Sequence, residues 1–128
     1  MIYSWHTLVI DCPDADALAS FYQELLDLPR LLTEPDWVAI GGDVQRPSLS
    51  FQQVEDYRAP EWPGQGIPQQ MHLDVHVRNL DHAEKEVLAR GARRLPGGAE
   101  DFRVYADPAG HPFCLVQQAQ EPGEWAGP

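Results

Sequence analysis

Basic side chains are scarce in this sequence: Lys and Arg number 9 against 20 Asp and Glu, giving a formal net charge of -11 and a pI near 4.6. Such a surface repels nucleic acid and anionic membrane, so neither is expected as a partner, whereas a cationic ligand is attracted. Cysteine is equally sparse. Cys12 and Cys114 alone make no disulfide framework. No apolar run approaches the roughly 20 residues that cross a bilayer, and the N-terminus MIYSWHTLVI lacks the basic region and long apolar run of a signal peptide. A cytoplasmic protein with reduced thiols is the expectation. What remains is a globular composition, 43% hydrophobic over 128 residues, enough for one compact domain with a single core.

The most informative stretch is Met71 to Val77, MHLDVHV. One parity holds Leu73, Val75 and Val77; the other holds His72, Asp74 and His76. Successive strand side chains point to opposite faces, so this reads as a strand with one face on a core and the other lining something polar. An exposed sheet face would accept any polar residues there.

Earlier in the chain, Trp5 to Ile10 (WHTLVI) reads as a strand with His6, Leu8 and Ile10 on one side and Thr7 and Val9 on the other. Asp14 or Asp16 can cap the following helix, whose Leu18, Phe21, Tyr22, Leu25 and Leu26 form one apolar stripe before Pro29 stops it. After a short connection, Asp36 to Gly41 and Ser48 to Val54 read as strands, parted by a Gly41-Gly42-Asp43 turn. Between Glu55 and Gln70, three prolines (Pro60, Pro63, Pro68) and two glycines (Gly64, Gly66) exclude a regular element, so this is read as a linker. Trp62 and Tyr57 within it either pin the loop to the body or close over a ligand.

Beyond Met71 to Val77, Asp81 is expected to cap a helix running to Arg90, with Gly91 after its end. Phe102 to Ala106 and Pro112 to Gln117 are read as strands around the turn Asp107-Pro108-Ala109-Gly110, and the tail after Ala119 as loosely held. The halves repeat, with WHTLVI set against MHLDVH and Phe51-Gln52-Gln53-Val54 against Phe113-Cys114-Leu115-Val116. The expected fold is therefore α+β: two tandem βαβββ modules forming a curved mixed sheet around a cavity, helices outside. Module one spans residues 1–54, the linker 55–70, module two 71–118, and a C-terminal tail 119–128.

Three pieces of text carry a family resemblance: HTLVIDCPDADALASFYQELLDLP, HLDVHVRNLDHAEKEVLARGAR and DPAGHPFCLV. With the repeat, they make the chain similar to the vicinal oxygen chelate superfamily, which includes glyoxalase I, bleomycin-resistance proteins, fosfomycin-resistance proteins and extradiol dioxygenases. It most resembles the small glyoxalase-like proteins. In metal-using members a divalent ion is held by one residue from the first strand and one from the last strand of each module. Carried over, those positions are His6, Gln52, His72 and Cys114. Catalytic members carry a Glu at the last-strand positions; Gln52 and Cys114 supply neither its charge nor its base.

Three readings of these four residues stand side by side. His6, His72 and Gln52 hydrogen-bond a ligand or water in a metal-free cavity; the four, with Cys114 as thiolate, take Zn or another metal tolerant of soft ligands; or they are residual polar residues without present function. The cofactor is accordingly none or one divalent metal. Asp74 and His76 are candidate acid-base groups, and Trp37, Trp62 and Tyr105 candidate rim aromatics, so the ligand set reads His6, Gln52, His72, Asp74, His76, Trp37, Trp62 and Tyr105. The resemblance implies either a small-molecule-binding protein that sequesters a cationic or aromatic ligand, or a metal-dependent lyase, isomerase or dioxygenase of a small oxygenated substrate. It also implies a homodimer.

Overall fold

The computed structural model describes residues 3–45 and 47–118; the tail at 119–128 lies outside the described residues. The chain divides into two compact units, Met1–Arg58 and Ala59–Pro128, so the boundary falls inside the proline- and glycine-rich stretch.

In the first unit β1 (Leu8–Cys12) leads to α1 (Ala15–Leu26), then β2 (Arg30–Glu34), β3 (Trp37–Ile40) and β4 (Leu49–Gln53). The sheet order is β1-β4-β3-β2, with β1 parallel to β4 and the other pairs antiparallel. Helix α1 starts where Asp14, in an extended conformation, accepts a hydrogen bond from the Ala17 amide at 3.0 Å. It ends at Asp27, whose left-handed φ of 52° is one that a short polar side chain tolerates. Its buried Leu18, Phe21 and Tyr22 lie on the sheet, with the Tyr22 ring stacked on Phe51 at 5.7 Å. Phe51 and its strand partners Ile10 and Val38 thereby define the helix-facing side of this sheet.

The second unit repeats the plan: β5 (Leu73–Val77), α2 (Leu80–Ala89), β6 (Arg93–Arg94), β7 (Phe102–Ala106) and β8 (Pro112–Gln117), in the order β5-β8-β7-β6. The cap of α2 is Asn79, not Asp81: the Asn79 side-chain oxygen accepts from the His82 amide at 2.9 Å. Asp81 falls inside the first turn and its carboxylate accepts from Arg103 Nη2 at 2.7 Å. Strands β2 and β6 are additional to the strands the sequence pattern predicts; each follows the helix of its module and completes the βαβββ order. The first strand begins at Leu8, not Trp5.

Charge ties α2 to its sheet. Glu84 accepts from Tyr105 Oη (2.9 Å) and Arg94 (2.8 Å), and Arg103 approaches its other oxygen at 3.3 Å. Burial opposes ionisation of Glu84, yet the hydrogen bonds from Tyr105 and Arg94 and the charges of Arg103 and Arg94 outweigh it and hold its pKa below the usual value. Burial first, and then the Glu84 contact, pushes Tyr105 up to about 12. The hydrogen bond from Arg103, with its charge, lowers Asp81 as well. Both carboxyls have folded values below their unfolded ones, so the stability they contribute is present above pH 4.5 and is lost as pH falls through the folded values. The urea midpoint should decline below that pH, and Glu84→Gln should flatten part of the decline. An unchanged slope in the variant would remove Glu84 from the explanation.

Candidate functional site

Each module has a face that carries no helix, and the strand registers fix what lies on it. In the second unit Leu73 pairs with Phe113, which stacks on Tyr105 at 5.6 Å on the α2 side. The opposite parity of β5 therefore presents His72, Asp74 and His76 away from α2, next to Cys114 and Val116 of β8 and Val104 and Phe102 of β7. Asp74 is directly across from Cys114, and Cys114 across from Val104.

Three of these side chains converge. His72 Nε2 stands 3.3 Å from Asp74 Oδ1, and one ligand atom each of His72, Asp74 and Cys114 lies within 4.8 Å of the other two. His72 and Asp74 are exposed, while Cys114 is buried at 7% exposure. Burial, followed by the charge of Asp74 and a hydrogen bond to it, pushes the Cys114 thiol up to about 11. At neutral pH this is a protonated thiol, not a nucleophile.

Trp62 borders the same face. Its indole N–H donates to Pro96 O at 2.7 Å, and its ring and the Val104 side chain both come within 4 Å of the point where a Cβ on Gly97 would stand. Tyr105 is different: wholly buried on the α2 side with its hydroxyl on Glu84, it belongs to the core and does not line the polar face. The alternation of FRVYA carried this, since Tyr105 has the parity of Arg103, not of Val104.

In the first unit the helix-free face holds Thr7, Val9 and Asp11 from the β1 side, Ser50 and Gln52 from β4, and Trp37 and Ala39 from β3. Gln52 pairs with both Asp11 and Trp37, so Gln52 and Trp37 share this face. His6 lies ahead of β1, exposed, with the parity of the helix-facing Leu8.

The two modules can be set in one frame by a shared detail. Gln53 Oε1, at the end of β4, accepts from the first amide of α1 (Ala15, 3.1 Å), and Gln117 Oε1, at the end of β8, accepts from the first amide of α2 (Leu80, 3.3 Å). Counting back from these anchors sets Ser50 against Cys114, Thr7 against His72 and Val9 against Asp74. The pairing of His6 with His72 and of Gln52 with Cys114 is thus corrected. The positions that matter in module one are Thr7 and Ser50, whose hydroxyls are hydrogen-bonded to each other at 3.1 Å. The helix caps Asp14 and Asn79 stand in the same frame and were the sequence signal for it.

The glyoxalase-like domain family matches residues 7–116. The chain belongs to that family, and with it to the vicinal oxygen chelate superfamily. Among solved structures, the glyoxalase-like chain is similar to a glyoxalase-related enzyme from Fulvimarina pelagi (18% identity, 99% of this chain and 96% of that one covered, TM-score 0.68). It is similar also to the fosfomycin resistance protein FosX from Listeria monocytogenes (11% identity, 94% and 97% covered, TM-score 0.64). A third similar chain is a glyoxalase/bleomycin resistance protein/dioxygenase family enzyme from Burkholderia phytofirmans PsJN (15% identity, 87% and 95% covered, TM-score 0.63). At these identities the likeness shows the fold. No curated protein matches the chain in sequence. Among the described residues no helix is long and apolar enough to cross a membrane.

The superfamily's metal pattern does not fit this glyoxalase-like domain. Two of its four positions are the mutually bonded hydroxyls of Thr7 and Ser50, and neither last-strand position holds a carboxylate.

Proposed function

We propose that this glyoxalase-like chain binds a small cationic or aromatic molecule on the polar, helix-free faces of its sheets and does not carry out glyoxalase-type proton transfer. One observation carries the reading: the last-strand positions are Ser50 and Cys114, a hydroxyl and a thiol pushed up to about 11. Neither is a base at neutral pH, so proton abstraction from a carbon acid has no acceptor where the fold would provide one. The metal-dependent lyase, isomerase or dioxygenase reading loses the two last-strand carboxylates that the resemblance implies as metal ligands, since Ser50 and Cys114 stand there.

Binding has support of another kind. The net charge of -11 raises the local concentration of a cation, Asp74 supplies an exposed carboxylate, and Trp37 and Trp62 supply half-exposed rings on helix-free faces. We place the protein in the cytoplasm as a homodimer, with Cys12 and Cys114 as buried cysteines outside any disulfide.

Calorimetric titration of the chelator-treated protein with planar aromatic cations tests this. Saturable binding that weakens with added salt is expected, and Asp74→Asn should reduce affinity by about tenfold, on the order of one desolvated charge contact. A full panel of aromatic cations with no saturable binder overturns the reading.

A further inference from the structure

One row of side chains crosses the whole helix-free face of the first module. The strand registers set Asp11 of β1 beside Gln52 of β4, Gln52 beside Trp37 of β3, and Trp37 beside Glu34 of β2. All four point away from α1, because Gln52 has the parity opposite to Phe51, whose ring stacks on Tyr22 of the helix. Directly opposed residues on one sheet face have Cβ atoms about 4.5–5.5 Å apart, so the Trp37 ring stands between a carboxylate and an amide, within reach of both. Trp37 is half-exposed, and Asp11, Gln52 and Glu34 are exposed. In the next row Val9 and Leu32 are exposed as well, and Leu32 lies two residues from Glu34 on the same strand.

The second module has no such row. In the common frame Asp11, Gln52 and Trp37 answer to His76, Val116 and Phe102. An apolar pair in one module is an amide and an indole in the other. The row also shares no residue with Thr7, Ser50, His72 and Cys114, the positions that answer to the superfamily's metal pattern.

We propose that this row binds a monosubstituted guanidinium, with the planar cation stacked on the Trp37 indole, its N–H groups forked onto Glu34 and its alkyl substituent lying over Leu32. The inference rests on the cation-binding reading above and names the class of the cation and its seat.

Three properties of the row select a guanidinium. The face of an indole attracts a cation through the ring quadrupole, and a flat, weakly hydrated cation stacks on it best. A carboxylate beside the ring accepts two parallel N–H bonds from a guanidinium; an ammonium is a compact point charge without that fork, and a quaternary ammonium has no N–H at all. On the other side of the ring the Gln52 carbonyl oxygen is a further acceptor, and Asp11 extends the negative potential beyond it. An anion would meet two carboxylates. Charge therefore discriminates by sign, and the pairing of ring with carboxylate discriminates by shape.

The test titrates the full chain by calorimetry with propylguanidinium, propyltrimethylammonium and propylurea. Propylguanidinium should bind one to one, at least about tenfold more tightly than the quaternary ammonium, which keeps the charge without the fork, and than the urea, which keeps the plane without the charge. Glu34→Gln should weaken its binding about tenfold, and Trp37→Leu by at least as much. Trp37→Phe should fall between the unaltered chain and Trp37→Leu, because a smaller π face remains; circular dichroism checks that each variant folds. Phe102→Leu, at the equivalent place in the second module, should leave the affinity unchanged. The absence of saturable propylguanidinium binding overturns the inference. So does an affinity that Glu34→Gln and Trp37→Leu leave intact, one that Phe102→Leu lowers as much as they do, or a preference for the quaternary ammonium. If planar aromatic cations bind and propylguanidinium does not, the cation-binding reading stands and this inference alone falls.

Discussion

Phe113→Ala should destabilise the protein by about 3–5 kcal/mol, a large part of the roughly 5–15 kcal/mol that holds a domain folded. Phe113 has no exposed surface and its ring stacks on Tyr105 at 5.6 Å with the planes 29° apart. Truncation loses the transfer energy of the ring and opens a cavity beside a second fully buried aromatic, Tyr105, whose hydroxyl is held by Glu84 of α2. In thermal unfolding this corresponds to a lowering of Tm on the order of 10–20 °C. Phe113→Leu, which refills most of the space, should recover more than half of the loss. A decrease below about 1 kcal/mol for the alanine variant would mean that this layer relaxes far more than its packing implies. Because Phe113 directly precedes Cys114 on β8, its packing also holds the thiol in place.

The second large effect lies in the hairpin that joins β7 to β8. Asp107 is 2% exposed, and its Oδ1 accepts from the amides of Ala109 (2.9 Å) and His111 (3.0 Å). The turn is completed by backbone bonds from Asp107 N to His111 O and from Gly110 N to Asp107 O. Gly110 sits at φ +91°, with the Ala59 Cβ only 2.7 Å from where its own would be, so this position has no room for a side chain. Asp107→Ala would remove a shared acceptor from two amides in a sheltered turn. The expected cost is about 2–4 kcal/mol, against a much smaller one for Asp107→Asn, which keeps an acceptor oxygen. Urea unfolding of the two variants side by side checks it: equal losses would show that the carboxylate acts through its charge and not as an acceptor.

How far the sequence could be read depended on how much each element resembles its own rule. Phe102–Ala106 and Pro112–Gln117 emerge at their expected limits because alternation and the flanking turn residues agree. Strand β5 shows its two-faced pattern in the structure as in the text. The two missed strands had no such signal. Arg30–Glu34 is an edge strand, largely exposed and directly after Pro29, and Arg93–Arg94 is a two-residue strand of basic side chains. At the site, His72, Asp74 and Cys114 were legible as chemistry because each sits on a well-read strand. The counterpart residues in module one were not, because matching one histidine to another shifted the frame by a residue and a one-residue shift changes the face. Parity also separates Tyr105 from the rim aromatics, because its face of β7 is the one that α2 covers.

Parity also gives Gln53 and Gln117 a significance beyond helix capping. Each ties the far end of a strand flanked on both sides, β4 or β8, to the first amide of a helix. A slip of β8 by one residue would break that bond while turning Cys114 into the core and Phe113 or Leu115 out of it. Gln117 therefore acts as a gauge of register: a hydrogen bond on the covered side of the sheet certifies which atoms appear on the open side.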